Sequence, residues 1–176
     1  MAAAFEQFIS LNRSLEELNL NDCKLGPDGA LVLGKSLRRN QRLQKLHLNQ
    51  NRLCDKGLLA IADGILDNVW TTSQMQGVLI QAPITELDIS KNDIELKDLE
   101  TRATLCKLLS EPNSKLQALS MRDNLIRDEA AEAVGSALKS NLSIMKIQMD
   151  LNPIKIDVLN ELYFSVKRNV ASHKEK

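Results

Sequence analysis

Leu43-Gln44-Lys45-Leu46-His47-Leu48-Asn49-Gln50-Asn51-Arg52-Leu53 decides how this chain folds. The same pattern stands 28 residues earlier as Leu15, Leu18, Leu20, Cys23 and Leu25. It returns as Ile84, Leu87, Ile89, Asn92 and Ile94, then as Leu116, Leu119, Met121, Asn124 and Ile126, and last as Ile144, Ile147, Met149, Asn152 and Ile154. Around Leu46 and Leu48 apolar and polar residues alternate, which predicts a short strand with one buried face. Asn51 then turns the chain, because its amide can satisfy backbone groups that a turn leaves unpaired. Cys23 takes that slot in the first copy. Leu58, Leu59, Ile61, Ala62 and Ile65 follow at helical spacing. Each copy therefore reads as strand, turn and helix. One copy cannot bury both sides of its strand, but stacked copies can. The expected fold is an α/β solenoid with a curved parallel sheet on the concave face and helices on the convex face.

The 28-residue period and the tail Leu25-Gly26-Pro27-Asp28-Gly29-Ala30-Leu31-Val32-Leu33-Gly34-Lys35-Ser36-Leu37-Arg38-Arg39-Asn40 resemble the ribonuclease-inhibitor-like subclass of the leucine-rich repeat family. The resemblance covers nearly the whole chain. It implies recognition of a protein partner more than it implies chemistry, since that fold serves many unrelated partners.

The repeat register divides one domain, 1–176, into a helical half-repeat (2–14), repeats at 15–42, 43–83, 84–115, 116–143 and 144–171, and a polar tail (172–176). Phe5, Ile9 and Asn12 stand 28 residues before Leu33, Leu37 and Asn40, so the half-repeat is either a helical half-cap or the cut edge of a longer solenoid. An uncapped edge there leaves self-association open. The second repeat is 41 residues long, and its extra residues fall at about 69–83. An insertion in a solenoid is expected to form a loop on one face. Trp70, Met75 and Leu79 in it are candidate apolar anchors for a partner. The competing reading packs Trp70 on the neighbouring repeat.

Composition excludes several function classes. The 176 residues are 43% hydrophobic with 3% aromatic, which predicts a sizeable aliphatic core. Lys+Arg and Asp+Glu are 23 each, and a zero net charge argues against nucleic acid or an anionic membrane as partner. No apolar run reaches the ~18 residues of a membrane span, and no signal-peptide pattern opens the chain. Three scattered cysteines, Cys23, Cys54 and Cys106, fit reduced thiols in the cytoplasm or nucleus. Asn12-Arg13-Ser14 and Asn141-Leu142-Ser143 match the glycosylation acceptor, a pattern that occurs freely in intracellular proteins.

Gly29-Ala30-Leu31-Val32-Leu33-Gly34-Lys35-Ser36 fits the letters of a phosphate-binding loop. That loop needs a strand ending just before its first glycine, and here the strand ends near Leu20. In the repeat register Gly34 aligns with Ala62 and Gly135, and close packing of helix on sheet accounts for the small residue. Lys35 aligns with Asp63 and Ser136, so its charge is no part of the pattern. His47 and His173 have no Cys/His cluster at metal spacing. A set built from Asp88 and Ser120 would be accidental on a polar sheet face. No catalytic, cofactor-binding or metal-binding residue is expected.

The outward positions of the strands are the candidate site. They read Glu17, Asn19 and Asn21; Lys45, His47 and Asn49; Glu86, Asp88 and Ser90; Ala118, Ser120 and Arg122; Lys146, Gln148 and Asp150. A polar face of mixed sign favours a specific protein with complementary charges. The sequence reading is a non-catalytic intracellular interaction module, with Lys45, His47, Glu86 and Asp88 its most ordered part. Two alternatives stay open. One is a regulator of an enzyme, such as a small-GTPase activator or an enzyme inhibitor. The other is a cytoskeletal or ciliary component.

Overall fold

The computed structural model describes residues 2–74 and 84–174. Helix α1 (Ala2–Leu11) precedes five strand–helix units. These are β1 (Glu17–Asn19) with α2 (Gly26–Leu37), β2 (Lys45–His47) with α3 (Cys54–Gln74), β3 (Glu86–Asp88) with α4 (Leu99–Ser110), β4 (Ala118–Ser120) with α5 (Asp128–Leu138), and β5 (Lys146–Gln148) with α6 (Ile156–Lys174). The strands form one parallel sheet in chain order. Its register places Leu18, Leu46, Leu87, Leu119 and Ile147 side by side, so the sequence repeat is also the register of the sheet. Leu46, Leu48, Ile89, Met121 and Met149 are wholly buried beneath it, against Leu33, Ile61, Leu105 and Val134 of the helices.

Each strand lasts only three residues because a tight turn follows it. Around the asparagine slot the backbone enters the left-handed region on both sides, at Asp22 and Lys24, Gln50 and Arg52, and Lys91 and Asp93. Such a turn strands backbone groups, and the asparagines collect them. Asn92 Oδ1 accepts from Asn51 N at 2.9 Å and Leu53 N at 3.4 Å, while its Nδ2 donates to the Leu48 and Ser90 carbonyls, both at 2.9 Å. Asn51 does the same for Cys23 N and Leu25 N, and Asn124 for Asn92 N and Ile94 N. The row ends at exposed Cys23, whose thiol donates to the Asn21 carbonyl two residues back at 3.4 Å.

A second asparagine row runs where the chain leaves each helix for the next strand. Asn40 Oδ1 accepts from Arg42 N and Leu43 N, and its Nδ2 reaches back to the Ile9 carbonyl. Asn141 repeats this with Ser143 N, Ile144 N and the Leu109 carbonyl. Asn12, Asn40 and Asn68 stand at the 28-residue period, so this row was visible in the sequence.

The phosphate-loop lookalike is helix. Gly29–Ser36 lies wholly inside α2, with Lys35 exposed and the Ser36 hydroxyl donating to the Val32 carbonyl at 2.9 Å. The small residue at Gly34 has a different cause from the expected helix–sheet packing. A methyl at Gly34 would lie far inside van der Waals contact of the Ala60 carbonyl, and one at Gly64 would meet the Gly34 carbonyl. Two glycines thus bring α2 and α3 to backbone contact. At Gly135, in the same register slot, a methyl would meet nothing within 4 Å.

The insertion is only partly what the repeat length suggests. α3 runs on past Asn68 to Gln74, so 69–74 is helix where a loop was expected, and Val69 is 1% exposed. Trp70 falls in this extension. Its side chain, like all of Met75 and Leu79, lies outside the described residues, and so do 75–83.

The two ends differ. At the C-terminal end α6 lies over the edge of β5. The Tyr163 hydroxyl accepts from Met149 N at 3.3 Å, and Asn169 Nδ2 donates to the Ile144 carbonyl at 3.0 Å. At the other end Leu15, Leu18 and Leu20 are only partly buried, and Phe8 and Leu11 of α1 are exposed.

Candidate functional site

The outward side chains of the five strands form three columns across the concave face. The first is Glu17, Lys45, Glu86, Ala118 and Lys146. The second is Asn19, His47, Asp88, Ser120 and Gln148. The third, just past the strand ends, is Asn21, Asn49, Ser90, Arg122 and Asp150.

Register decides which charges meet. Lys45 and Glu86 are direct neighbours, with Nζ 3.2 Å from Oε1. His47 turns Nε2 to Glu17 Oε1 at 3.3 Å, toward β1. Arg122 donates from Nε to Asp150. Asn49 N donates to Asn21 Oδ1 at 2.7 Å. These pairs are solvent-exposed, and each contributes only about 0–1 kcal/mol to stability. Their chief effect is to hold side chains in place and to leave others without a partner.

Ser90 is a correction to the expected ladder. It is 4% exposed, and its hydroxyl is shared between Asp88 Oδ1 at 2.6 Å and Ser120 Oγ at 2.8 Å. It positions its neighbours and is not available to a partner. Glu17, Asn19, Asn21, Arg122 and Lys146 are exposed, and Lys45, His47, Asn49, Glu86, Asp88, Ser120, Gln148 and Asp150 are half-buried.

The residue that shapes the face most is the one member of the ladder that offers a partner no polar group. Ala118 on β4 lies between Glu86 and Lys146, and Ser120 lies between Asp88 and Gln148. Two short side chains flanked by long ones open a shallow depression of about 240 Å³, with Asp88 on one wall and Lys146 on the other. The signal was present in the sequence as the one alanine in a column otherwise charged.

Asp88 and Ser120 are adjacent, but the Ser120 hydroxyl is engaged by Ser90 and His47 is turned toward Glu17. Among the described residues no group of three or more His, Cys, Asp or Glu could hold a metal ion, and no helix is long and apolar enough to cross a membrane. All three thiols are free. Cys23 and Cys54 are exposed, and Cys106 sits half-buried, where desolvation pushes its titration up.

Comparison with known proteins agrees with this geometry. The family model described as "Leucine Rich repeat" matches residues 11–34, 39–62, 82–101 and 113–135, just over half of the chain. The chain is 28% identical over 158 residues to NACHT, LRR and PYD domains-containing protein 4C of Mus musculus, covering 81% of this chain and 16% of that protein. It is 25% identical over 156 residues to the ribonuclease inhibitor of Mus musculus, covering 80% of this chain and 34% of the inhibitor. It therefore spans about a sixth and a third of these relatives. Among solved structures it superposes on the leiomodin-1 actin-binding site 2 with a TM-score of 0.75 at 16% identity, over 97% of this chain and 90% of that one. The tropomodulin C-terminal domain of Caenorhabditis elegans gives 0.71 at 11% identity, over 98% and 95%. With its repeats matched by the family's own model and stacked into an open parallel solenoid, this chain belongs to the leucine-rich repeat family, in the company of the ribonuclease-inhibitor-like proteins.

Proposed function

We propose that this protein is a non-catalytic interaction module of the cytoplasm that holds a protein partner on its concave sheet face. The observation that carries the reading is the register of that face, where side chains of both signs are fixed by cross-strand contacts while their outer atoms stay in water. A mixed, ordered field of this kind gives specificity and steers association more than it adds affinity. The relatives support it: a ribonuclease inhibitor and an actin-binding site are both named for what they bind.

The test is an alanine block at Lys45, His47, Glu86 and Asp88, with a second block at convex-face Lys35, Glu132 and Lys167 as control. A partner recovered with the wild-type chain should be lost on the concave block and kept on the convex one. Equal recovery with both blocks, at unchanged circular dichroism, removes the concave face from the reading.

A second reading is an actin-associated role. It is favoured by extent, since the superposition takes in nearly all of this chain and nearly all of both neighbours. Co-sedimentation with filamentous actin should deplete the chain from the supernatant, and an unchanged supernatant at saturating actin ends that reading.

A further inference from the structure

The two ends of the solenoid are finished differently. At the C-terminal end α6 covers β5, and its exposed positions include Asp157, Glu161 and Lys167. At the N-terminal end β1 is an open edge. Lys45 N donates to the Glu16 carbonyl and the His47 carbonyl accepts from Leu20 N, so residues 45 and 47 turn their backbone toward β1. By the same alternation Glu17 and Asn19 turn theirs away from β2, where no strand lies among the described residues. Behind this edge Leu15, Leu18 and Leu20 are only partly buried. Beside it α1 exposes Ala2, Ala3, Ala4, Gln7, Phe8 and Leu11, with no charge among them. Ala4, Phe8 and Leu11 follow the alternating four- and three-residue spacing of a helix–helix seam, along a depression of about 420 Å³.

We propose that this edge closes on the same edge of a second copy of the chain, about a two-fold axis that passes through Leu18 perpendicular to the sheet. β1 then pairs antiparallel with its copy. Glu17 and Asn19 of one strand exchange N–H and C=O bonds with Asn19 and Glu17 of the other, and the two Leu18 side chains meet in the close non-hydrogen-bonded pair between them. The charges select that register. Glu17 lies opposite Asn19 of the second copy, whose Oδ1 is taken by Asn21 N and whose Nδ2 is left to donate. An axis through Glu17 would instead set two carboxylates face to face. The uncharged faces of the two α1 helices pack antiparallel behind the strands, and a net charge of zero adds no repulsion between copies. A further repeat stacked in parallel fits this edge less well. Each internal junction uses an asparagine amide to serve the turn before it, as Asn51 serves Cys23 N and Leu25 N. At the edge that slot holds only the Cys23 thiol, a weak acceptor. The two-fold joins the two five-stranded sheets into one continuous concave face.

Sedimentation equilibrium of the full chain tests this, with circular dichroism confirming that each variant folds. Wild type should pass from monomer to dimer as concentration rises and stop there, because an isologous contact closes at two. Phe8 is 57% exposed, so Phe8→Glu should leave the fold intact while placing two carboxylates in the apolar seam, and it should stay monomeric. Asn19→Glu sets Glu17 against a like charge twice in each dimer and should weaken association by about tenfold. Asn19→Lys sets it against an opposite charge and should strengthen association, more so at low salt. A monomer at every concentration, species that keep growing past two, Phe8→Glu dimerising like wild type, or Asn19→Glu and Asn19→Lys acting alike overturns the proposal. The alanine block at Lys45, His47, Glu86 and Asp88 leaves β1 and α1 untouched and should still dimerise, so self-association and partner capture fail separately.

Discussion

Replacing Asn92 with alanine should be among the costliest single changes in the molecule, far costlier than the same change at Asn152. Asn92 is wholly buried in the middle of its row. Without its side chain the Asn51 and Leu53 N–H groups lose their acceptor in a site closed to water. An orphaned buried donor costs about 1–3 kcal/mol. Leu53, already at 3.4 Å, belongs at the low end of that range. The acceptors suffer less, because the Leu48 carbonyl keeps Asn51 Nδ2 and the Ser90 carbonyl keeps Gln50 N. The sum is about 2–4 kcal/mol. Asn152 is half-exposed and its Oδ1 serves the Ile126 N–H, which water can reach once the amide is gone. There the cost should be about 1 kcal/mol. Both changes delete the same atoms, so the difference isolates burial and position in the row. Urea unfolding followed by circular dichroism reads both. A loss below about 1 kcal/mol for Asn92→Ala, or equal losses for the two, refutes the claim that the asparagine row holds the turns together.

Gly34→Ala and Gly135→Ala should have opposite signs despite sharing a register slot. The first drives a methyl into the Ala60 backbone and should lower the melting temperature, while the second has open space and should stabilise by about 0.5–1 kcal/mol through helix propensity. Leu151 is 67% exposed at φ 62°, where the matching turns hold Asp22, Gln50, Lys91 and Asp123. Leu151→Asn should stabilise by about 0.5–1 kcal/mol in the same urea assay, because asparagine tolerates the left-handed region better. Asp98 caps α4, and hydrogen bonds from the Thr101 hydroxyl and backbone N hold its carboxyl below the ordinary value of 3.8. A lowered folded value means that the capping stabilisation is complete above the unfolded value and is lost as pH falls through the folded one. Asp98→Ala should therefore be less stable than wild type at neutral pH, with the gap closing in acid below about 3.8. A gap that persists at pH 2 would show that the carboxylate is not the cause.

The sequence by itself determined the unit and its stacking. The period of Leu43, Leu46, Leu48 and Asn51 recurs with the same internal spacing, and a parallel sheet built from identical units has only one register that buries every apolar position. That is why the order β1 to β5, the inward leucines and the outward ladder could all be read from letters. What only the tertiary structure decided are the matters that depend on which neighbour a side chain finds across a strand or helix. Ser90 looked outward by its position and is buried because Asp88 and Ser120 offer it partners. Gly34 looked like a helix–sheet contact and serves a helix–helix one, since the crossing of α2 and α3 depends on Gly64, thirty residues away. The segment after Asn68 looked like a loop because it breaks the period, yet its first turns continue α3. Lys146 is left without an ion pair among the described residues for the same reason. Periodicity is local and specifies the backbone, but pairing is non-local and depends on the side chain across each strand, where Ala118 offers Lys146 no charge to pair with.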